Sequence, residues 1–210
     1  MRRFSLTNFT LQALLAALAV ALGSDRAGAA GDPLEDSFAL EAKGDLTGAW
    51  RASREAAEQN PTRYFARIRV AFLELGLKNY AAAADDYARA ATLAPRSLEA
   101  LLGSQQALLA LGRYAEAASV GQKALARDAD NYLAASRLAW SLFSLERYAD
   151  AAKVYARVLT LYPSDFEMMT GLGYSELRAG RKREASDAFR AVLSILPSHA
   201  RAREGLAACR

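Results

Sequence analysis

The chain has 210 residues, of which 24% are charged, and it contains a single histidine and a single cysteine. One cysteine cannot form a disulfide within the chain, and without Cys or His pairs the sequence offers no ligand set for a transition metal. The formal charge of +4 falls to +2 without residues 1–29, because 24 basic and 22 acidic residues remain. Net charge therefore gives no reason to expect nucleic acid as a partner.

Residues 1–29 have the three parts of an export signal. Arg2 and Arg3 make a basic start, residues 9–23 form an uncharged apolar run, and residues 27–29 are Ala-Gly-Ala, which suits a signal peptidase. The run of 15 residues is shorter than the roughly 20 that a membrane-spanning helix needs. The sequence therefore predicts a cleaved signal peptide over 1–29 and an exported, periplasmic protein with no membrane span after cleavage. The alternative is an uncleaved anchor.

From residue 30 onward the sequence repeats with a period of 34 residues. Pro163 has counterparts at Pro61, Pro95 and Pro197, and Ala151 has counterparts in the other four periods. An unrelated proline falls on that phase about once in 34 positions. The shared phase of four of the five prolines therefore indicates a repeated structural unit.

Each period contains two helical patterns. In residues 132–165, apolar residues recur at i, i+3, i+4 and i+7 from Ala135 to Leu142, which is the spacing of one helical face. The pattern breaks, starts again at Tyr148 and stops at Pro163. Proline keeps the residue before it out of the helical region, so each period predicts a helix, a turn and a second helix.

At these residues the chain resembles the tetratricopeptide repeat family, whose unit is a helix-turn-helix of this length. The family pattern has Gly and then an aromatic residue at the turn, Ala and an aromatic residue in the second helix, another Ala, and a final Pro. The matching residues are Gly112, Tyr114, Ala117 and Ala124; Tyr148, Ala151, Tyr155 and Pro163; Gly180, Ala185, Phe189 and Pro197; and Tyr80, Ala83, Tyr87, Ala90 and Pro95. The resemblance implies an all-α, right-handed α-solenoid of about five helix-turn-helix units with a C-terminal solvating helix.

The period also sets the expected boundaries of a repeat domain at 30–210. The units are expected at approximately 30–63, 64–97, 98–131, 132–165 and 166–199, with a capping helix at 200–210. The capping helix is expected because a terminal repeat needs a polar outer face. In unit 98–131, Gly121 replaces the second-helix aromatic residue and Ala129 replaces Pro, so we expect this unit to be the least stable of the central ones.

No group of residues predicts catalysis. A nucleophile would need a base beside it, but the only histidine, His199, lies in the turn after Pro197, where a solvated loop residue is expected. Gly171 and Gly173 lack the third glycine and the preceding strand of a dinucleotide-binding motif, and they are better explained as small residues that permit close helix approach. We therefore expect a protein that is not an enzyme, with no cofactor, no metal, no small-molecule substrate and no nucleic acid.

The resemblance implies that the first helix of each unit lines the concave wall of a superhelix. The inward positions of the family are here mostly apolar and aromatic, and Phe72, Trp140 and Tyr174 share the ninth position of their units. The alternative for these aromatic residues is burial between repeats. The candidate peptide-binding groove comprises Phe65, Ile68, Phe72, Leu102, Gln106, Leu133, Trp140, Phe143, Tyr174 and Arg178.

The C-terminal end is basic, since residues 178–210 hold eight basic and three acidic residues. A solvated face of the last repeat explains this, and a site for an anionic surface or polymer is the alternative. Cys209 is expected to be an incidental thiol or to form an intermolecular disulfide. The candidate basic cap comprises Arg181, Lys182, Arg183, Arg201 and Arg203.

These patterns together predict a non-catalytic scaffold or adaptor. It is expected to bind a peptide segment of a protein partner, in a cell-envelope complex, in the aromatic-lined groove. Two alternatives stay open: a self-assembling protein that forms head-to-tail homo-oligomers, and a binder of anionic surfaces or polymers through the basic cap.

Overall fold

The computed structural model describes residues 31–210, so the expected signal segment at 1–29 lies outside the described residues. In the described part the chain forms eleven helices and no strand. In chain order these are α1 Pro33–Ala42, α2 Leu46–Gln59, α3 Tyr64–Gly76, α4 Tyr80–Leu93, α5 Leu98–Ala110, α6 Tyr114–Leu125, α7 Tyr132–Ser144, α8 Tyr148–Leu161, α9 Phe166–Arg178, α10 Lys182–Ile195 and α11 Ala200–Ala208.

The helices form a solenoid of two layers. Each helix packs against its neighbours in the chain, and the first helices α3, α5, α7, α9 and α11 also pack against one another. These first helices therefore make the inner layer, and the second helices α4, α6, α8 and α10 make the outer one. The prediction of an all-α solenoid of about five helical pairs with a C-terminal helix is confirmed.

The turn inside each helical pair contains one residue with positive φ. Gly44, Gly112 and Gly180 have φ of 82°, 70° and 81°, and Lys78 and Glu146 have φ of 63° and 59° at the same phase of the repeat. Glycine adopts this conformation without strain, whereas a residue with a Cβ does not. The packing of each helical pair therefore holds the left-handed turn even in the two units that lack the glycine.

Side chains cap the first helices of the later units. Ser97, Asn131, Asp165 and His199 each accept a hydrogen bond from the backbone N–H three residues further on, at 3.0 to 3.2 Å. His199, which the sequence placed in a solvated turn, is thus the N-cap of α11 and accepts through Nδ1. Its ring also makes an edge contact with Phe166, with centroids 5.7 Å apart.

Aromatic side chains of the outer layer pack on glycines of the next first helix. The pairs are Tyr87 with Gly103, Tyr155 with Gly171 and Phe189 with Gly205, and a Cβ built on the glycine would lie 2.2 to 2.5 Å from a ring carbon. Each glycine holds the sixth position of its unit. The close approach expected at Gly171 is therefore that of an aromatic ring lying on the helix backbone.

Unit 98–131 fills the same space differently. Gly121 stands where units 64–97, 132–165 and 166–199 have the aromatic residue, and a Cβ built there would lie 2.2 Å from Nε2 of Gln105. Gln105 is fully buried and donates from Nε2 to the carbonyl of Ala134 at 3.2 Å, but its Oε1 has no hydrogen-bond partner among the described residues. A buried, unpaired amide oxygen is destabilising, which gives the expected weakness of this unit a physical cause.

We predict opposite effects for two glycine-to-alanine substitutions. Gly103→Ala places a methyl group against the buried ring of Tyr87, and we expect it to lower the free energy of unfolding by about 1–3 kcal/mol. Gly76→Ala is the matched control, because no atom lies within 4 Å of the added Cβ, and we expect it to raise that free energy by about 0.4–1 kcal/mol. Urea unfolding followed by circular dichroism measures both. Equal effects of the two substitutions would show that the ring does not press on the helix.

Candidate functional site

The inner layer carries four half-exposed apolar side chains. Phe65, Phe72, Leu133 and Trp140 expose 51%, 52%, 47% and 47% of their surface. They lie on the first helices α3 and α7 and follow the inward positions of the repeat. Large apolar side chains left in water on one wall of a fold are typical of an interaction surface.

The other candidate groove residues differ in their access to solvent. Leu102, Phe143 and Tyr174 are partly buried, and Gln106 and Arg178 are exposed. The expectation for Ile68 is corrected, because this residue is 4% exposed and belongs to the core cluster around Tyr87. Ile68 holds the fifth position of its unit, and Thr170 at the same position of a later unit is also buried, whereas Leu102 and Ser136 at this position are only partly buried.

The wall has two aromatic parts with a polar segment between them. In the N-terminal part, Phe65 stacks on Phe38 of α1, with ring centroids 6.1 Å apart.

The polar segment between the two aromatic parts is formed by Arg137 of α7, whose side chain reaches back to α5. Its Nη1 donates to the carbonyl of Leu102 at 3.0 Å, and its Nη2 donates to Oε1 of Gln106 at 2.9 Å. Burial lowers the pKa of Arg137 from its ordinary value.

The C-terminal part contains a pocket of about 190 Å³, which we call the aromatic pocket. Trp140 and Phe143 stack with centroids 5.8 Å apart on one side, and Tyr174 forms another side. Tyr174 packs edge-on against the buried Phe189, at 5.0 Å between centroids. The pocket is lined by Ser136, Trp140, Phe143, Tyr155, Glu167, Met168, Gly171, Tyr174 and Arg201.

Three of these lining residues, Trp140, Phe143 and Tyr174, belong to the candidate groove, and Tyr155 and Arg201 are among the six that do not. Tyr155 comes from the outer helix α8 and is 4% exposed; burial raises its pKa to about 12, so its hydroxyl stays protonated. Arg201 was assigned to the basic cap, yet its guanidinium lies 3.8 Å from the carboxylate of Glu167 and 5.6 Å above the ring of Tyr174. The 34-residue period could have predicted that Arg201 lies on the inner wall, because Arg201 follows Glu167 by 34 residues and holds the same inward position.

The candidate basic cap is divided into two groups. Arg181 pairs with Glu176, and Lys182 donates to the carbonyl of Arg210 at 2.9 Å, beyond the C-terminal end of α11. Arg203 donates to the carbonyl of Pro197 at 2.9 Å near the start of α11, and Arg183 is exposed. Arg201 and Arg203 lie in the first half of α11, whereas Lys182 contacts Arg210 beyond its end, and the nine residues of this helix span about 13 Å.

The thiol of Cys209 is directed into the chain. It is partly buried and lies 3.2 Å from the carbonyl oxygen of Gly205, and burial raises the pKa of this thiol. A thiol with a raised pKa is a poor nucleophile at neutral pH. Among residues 31–210, no group of three or more potential ligands could hold a metal ion, and none of the described helices combines the length and apolar character needed to cross a membrane.

A protein-family profile shows the family to which this chain belongs. The profile described as Tetratricopeptide repeat matches residues 71–132, 106–166, 136–200 and 170–210, which together run unbroken from residue 71 to residue 210. The chain belongs to the tetratricopeptide repeat family. Members of this family bind proteins or peptides and are typically non-catalytic. No curated protein matches this tetratricopeptide repeat protein by sequence.

Solved structures share the fold of this tetratricopeptide repeat protein at low sequence identity. MamA from Desulfovibrio magneticus RS-1 is 19% identical, with a TM-score of 0.72 over 82% of this chain and 99% of that chain. YrrB, described as a TPR protein with an unusual peptide-binding site, is 16% identical, with a TM-score of 0.75 over 82% and 89%. A tetratricopeptide repeat protein from Parabacteroides merdae is 18% identical, with a TM-score of 0.73 over 84% and 70%. At these identities the likeness shows the fold alone.

Proposed function

We propose that this protein is a scaffold or adaptor that binds a peptide segment of a partner protein along its inner wall. The observation that carries the proposal is the set of half-exposed apolar side chains Phe65, Phe72, Leu133 and Trp140 on one wall. Burying an apolar side chain of this size is worth about 1.5–3 kcal/mol, and buried aromatic anchors contribute most of the free energy of binding at protein interfaces.

The N-terminal sequence gives a reason to propose where in the cell the partner is found. The basic start, apolar run and small residues of positions 1–29 are typical of an export signal. We therefore propose that the protein is exported and that its partner belongs to a cell-envelope complex. The alternative that uses the basic cap has less support, because the five cations lie in two groups and four of them, all but Arg183, are engaged within the chain.

Affinity capture from a native envelope extract tests this function. The groove variant carries Phe72→Ala, Leu133→Ala and Trp140→Ala, and Tyr174 is left in place because it packs on the buried Phe189. We expect the unmodified chain to retain partners that the groove variant loses. Three anchors worth at least 1 kcal/mol each correspond to a loss of more than about 100-fold in affinity.

A matched control variant separates groove binding from general stickiness. It carries Leu93→Ala, Leu161→Ala and Ile195→Ala, three apolar residues of the outer helices that are 37%, 49% and 44% exposed. We expect this variant to capture the same partners as the unmodified chain. Retention by the groove variant, or an equal loss from both variants, would refute the proposed groove.

A further inference from the structure

Tyr155, one of the residues that line the aromatic pocket, carries a hydroxyl group with no hydrogen-bond partner among the described residues. The ring of Tyr155 passes from α8 to the inner layer, and its Cζ would lie 2.5 Å from a Cβ on Gly171. Gly171 and Tyr155 both line the pocket, so the Cζ that carries the hydroxyl lies beside a residue of the pocket wall. The hydroxyl makes no hydrogen bond within residues 31–210, whereas those of Tyr64, Tyr132 and Tyr174 do, at 2.7 to 2.8 Å.

The size and walls of the pocket suit one aromatic ring. Its volume of about 190 Å³ exceeds the roughly 150 Å³ of an apolar cavity that is known to take benzene. Trp140 and Phe143 present stacked rings, and Met168 adds a polarisable apolar side chain. Aromatic rings pack favourably on such walls in offset or edge-to-face geometry.

The polar groups around the pocket favour a neutral ligand with a polar tip. Arg201 and Glu167 form an ion pair at the rim, so the two charges balance each other. The hydroxyl groups of Tyr174 and Ser136 already donate to backbone carbonyls, at 2.8 and 3.3 Å. The hydroxyl of Tyr155 is therefore the one in the pocket that still lacks a partner.

We infer that the aromatic pocket is the anchor site for a tyrosine side chain of the partner segment, with its phenol hydroxyl hydrogen-bonded to that of Tyr155. This inference rests on the proposed function and adds the residue type that the groove selects. The ring occupies the space between Trp140 and Tyr174, and the hydroxyl group is satisfied by that of Tyr155. Phenylalanine fits the same walls but leaves the Tyr155 hydroxyl unpaired, which is the physical source of the selectivity.

Two small probes test the inference in the full chain. N-acetyl-tyrosinamide and N-acetyl-phenylalaninamide are titrated while the indole N–H signals are followed by NMR. The chain has two tryptophans, so Trp140 reports on the pocket and Trp50 serves as the internal control. We expect both probes to shift the Trp140 signal, with the tyrosine probe binding about three- to tenfold more tightly, the ratio that one neutral hydrogen bond supplies.

Tyr155→Phe is the decisive variant, because it removes the free hydroxyl and no hydrogen bond within the described residues. We expect the phenylalanine probe to bind this variant at least as tightly as it binds the unmodified chain, because no hydroxyl is then left unpaired, and we expect the preference for the tyrosine probe to disappear. Tyr87→Phe is the matched control, since it removes the hydroxyl of an equally buried tyrosine that does not line the pocket, and it should keep the full preference.

Three results would overturn the inference: no shift of Trp140 by either probe, equal affinities in the unmodified chain, or a preference that survives in Tyr155→Phe. Tighter binding of N-acetyl-lysinamide would also overturn it, since the aromatic walls would then serve a cation. These failures are distinct from failure of the proposed function. If the groove variant loses its partners but the unmodified chain shows no preference for the tyrosine probe, the proposed function stands. Only the inferred tyrosine anchor is then refuted.

Discussion

Replacing Phe189 by alanine is expected to lower the free energy of unfolding by about 3–5 kcal/mol, the range for deleting a fully buried phenylalanine. Phe189 is 0% exposed and lies between two first helices, because a Cβ on Gly173 or on Gly205 would come within 2.6 or 2.2 Å of its ring. Its removal leaves a cavity between α9, α10 and α11. Since Tyr174 packs on the same ring, we also expect the variant to disturb the aromatic pocket.

Phe72→Ala is the matched control for this experiment. It also replaces a phenylalanine by alanine, but Phe72 is 52% exposed. We therefore expect the free energy of unfolding to change by less than about 1 kcal/mol. Chemical denaturation followed by circular dichroism gives both values. Equal losses from the two variants would contradict the assignment of Phe189 to the core and of Phe72 to the surface.

The second large effect concerns a buried carboxyl group between the first two helical pairs. Glu74 is 4% exposed and accepts a hydrogen bond at Oε1 from the indole N–H of Trp50 at 3.1 Å. Its Oε2 has no partner among the described residues. The pKa of Glu74 is raised to about 7: burial raises it most, the hydrogen bond from Trp50 lowers it, and the nearby carboxylate of Asp86, which pairs with Arg67 and Arg89, raises it.

Stability should therefore fall as the pH rises towards neutrality. The unfolded chain loses the Glu74 proton near pH 4.5 and the folded chain loses it near pH 7. Between these values the folded state holds one more proton, so the contribution is complete below pH 4.5 and is lost as the pH rises through 7. A shift from 4.5 to about 7 corresponds to about 3 kcal/mol.

Glu74→Gln removes this titration. We expect the variant to be more stable than the unmodified chain at pH 8, and the fall in stability between pH 4.5 and pH 7 to be smaller by about 2–3 kcal/mol. Glu55→Gln, which changes an exposed carboxylate, is the control and should leave the pH profile unchanged. Urea unfolding at pH 4.5, 6 and 8 measures this, and parallel profiles for all three proteins would contradict a buried, protonated Glu74.

The sequence was sufficient to predict the repeat fold because its period is carried by residues with simple physical roles. Prolines follow four of the five second helices, and alanines pack where helices approach closely. The left-handed turns at Lys78 and Glu146 could not be predicted in the same way, because neither residue favours positive φ. Packing of the helical pair decides that conformation.

The candidate site was predicted less completely, for a reason visible at single residues. Phe65, Phe72 and Trp140 are half-exposed, but Ile68 on the same helix as Phe65 is buried. A periodic pattern shows that residues share a helix, whereas the boundary between core and groove depends on which neighbouring helix covers each position. Tyr155 reaches the pocket from the outer layer through the space left by Gly171, and the one-dimensional pattern gives no sign of that.

The most direct test of groove binding is site-specific photocrosslinking to the captured partner. A benzophenone amino acid replaces Phe72 on the inner wall in one protein and Leu161 at the end of α8 in the other, two positions that are 52% and 49% exposed. We predict that the partner segment crosslinks at position 72 and not at position 161. Crosslinking at position 161 without crosslinking at position 72 would place the partner on the outer layer and contradict binding along the inner wall.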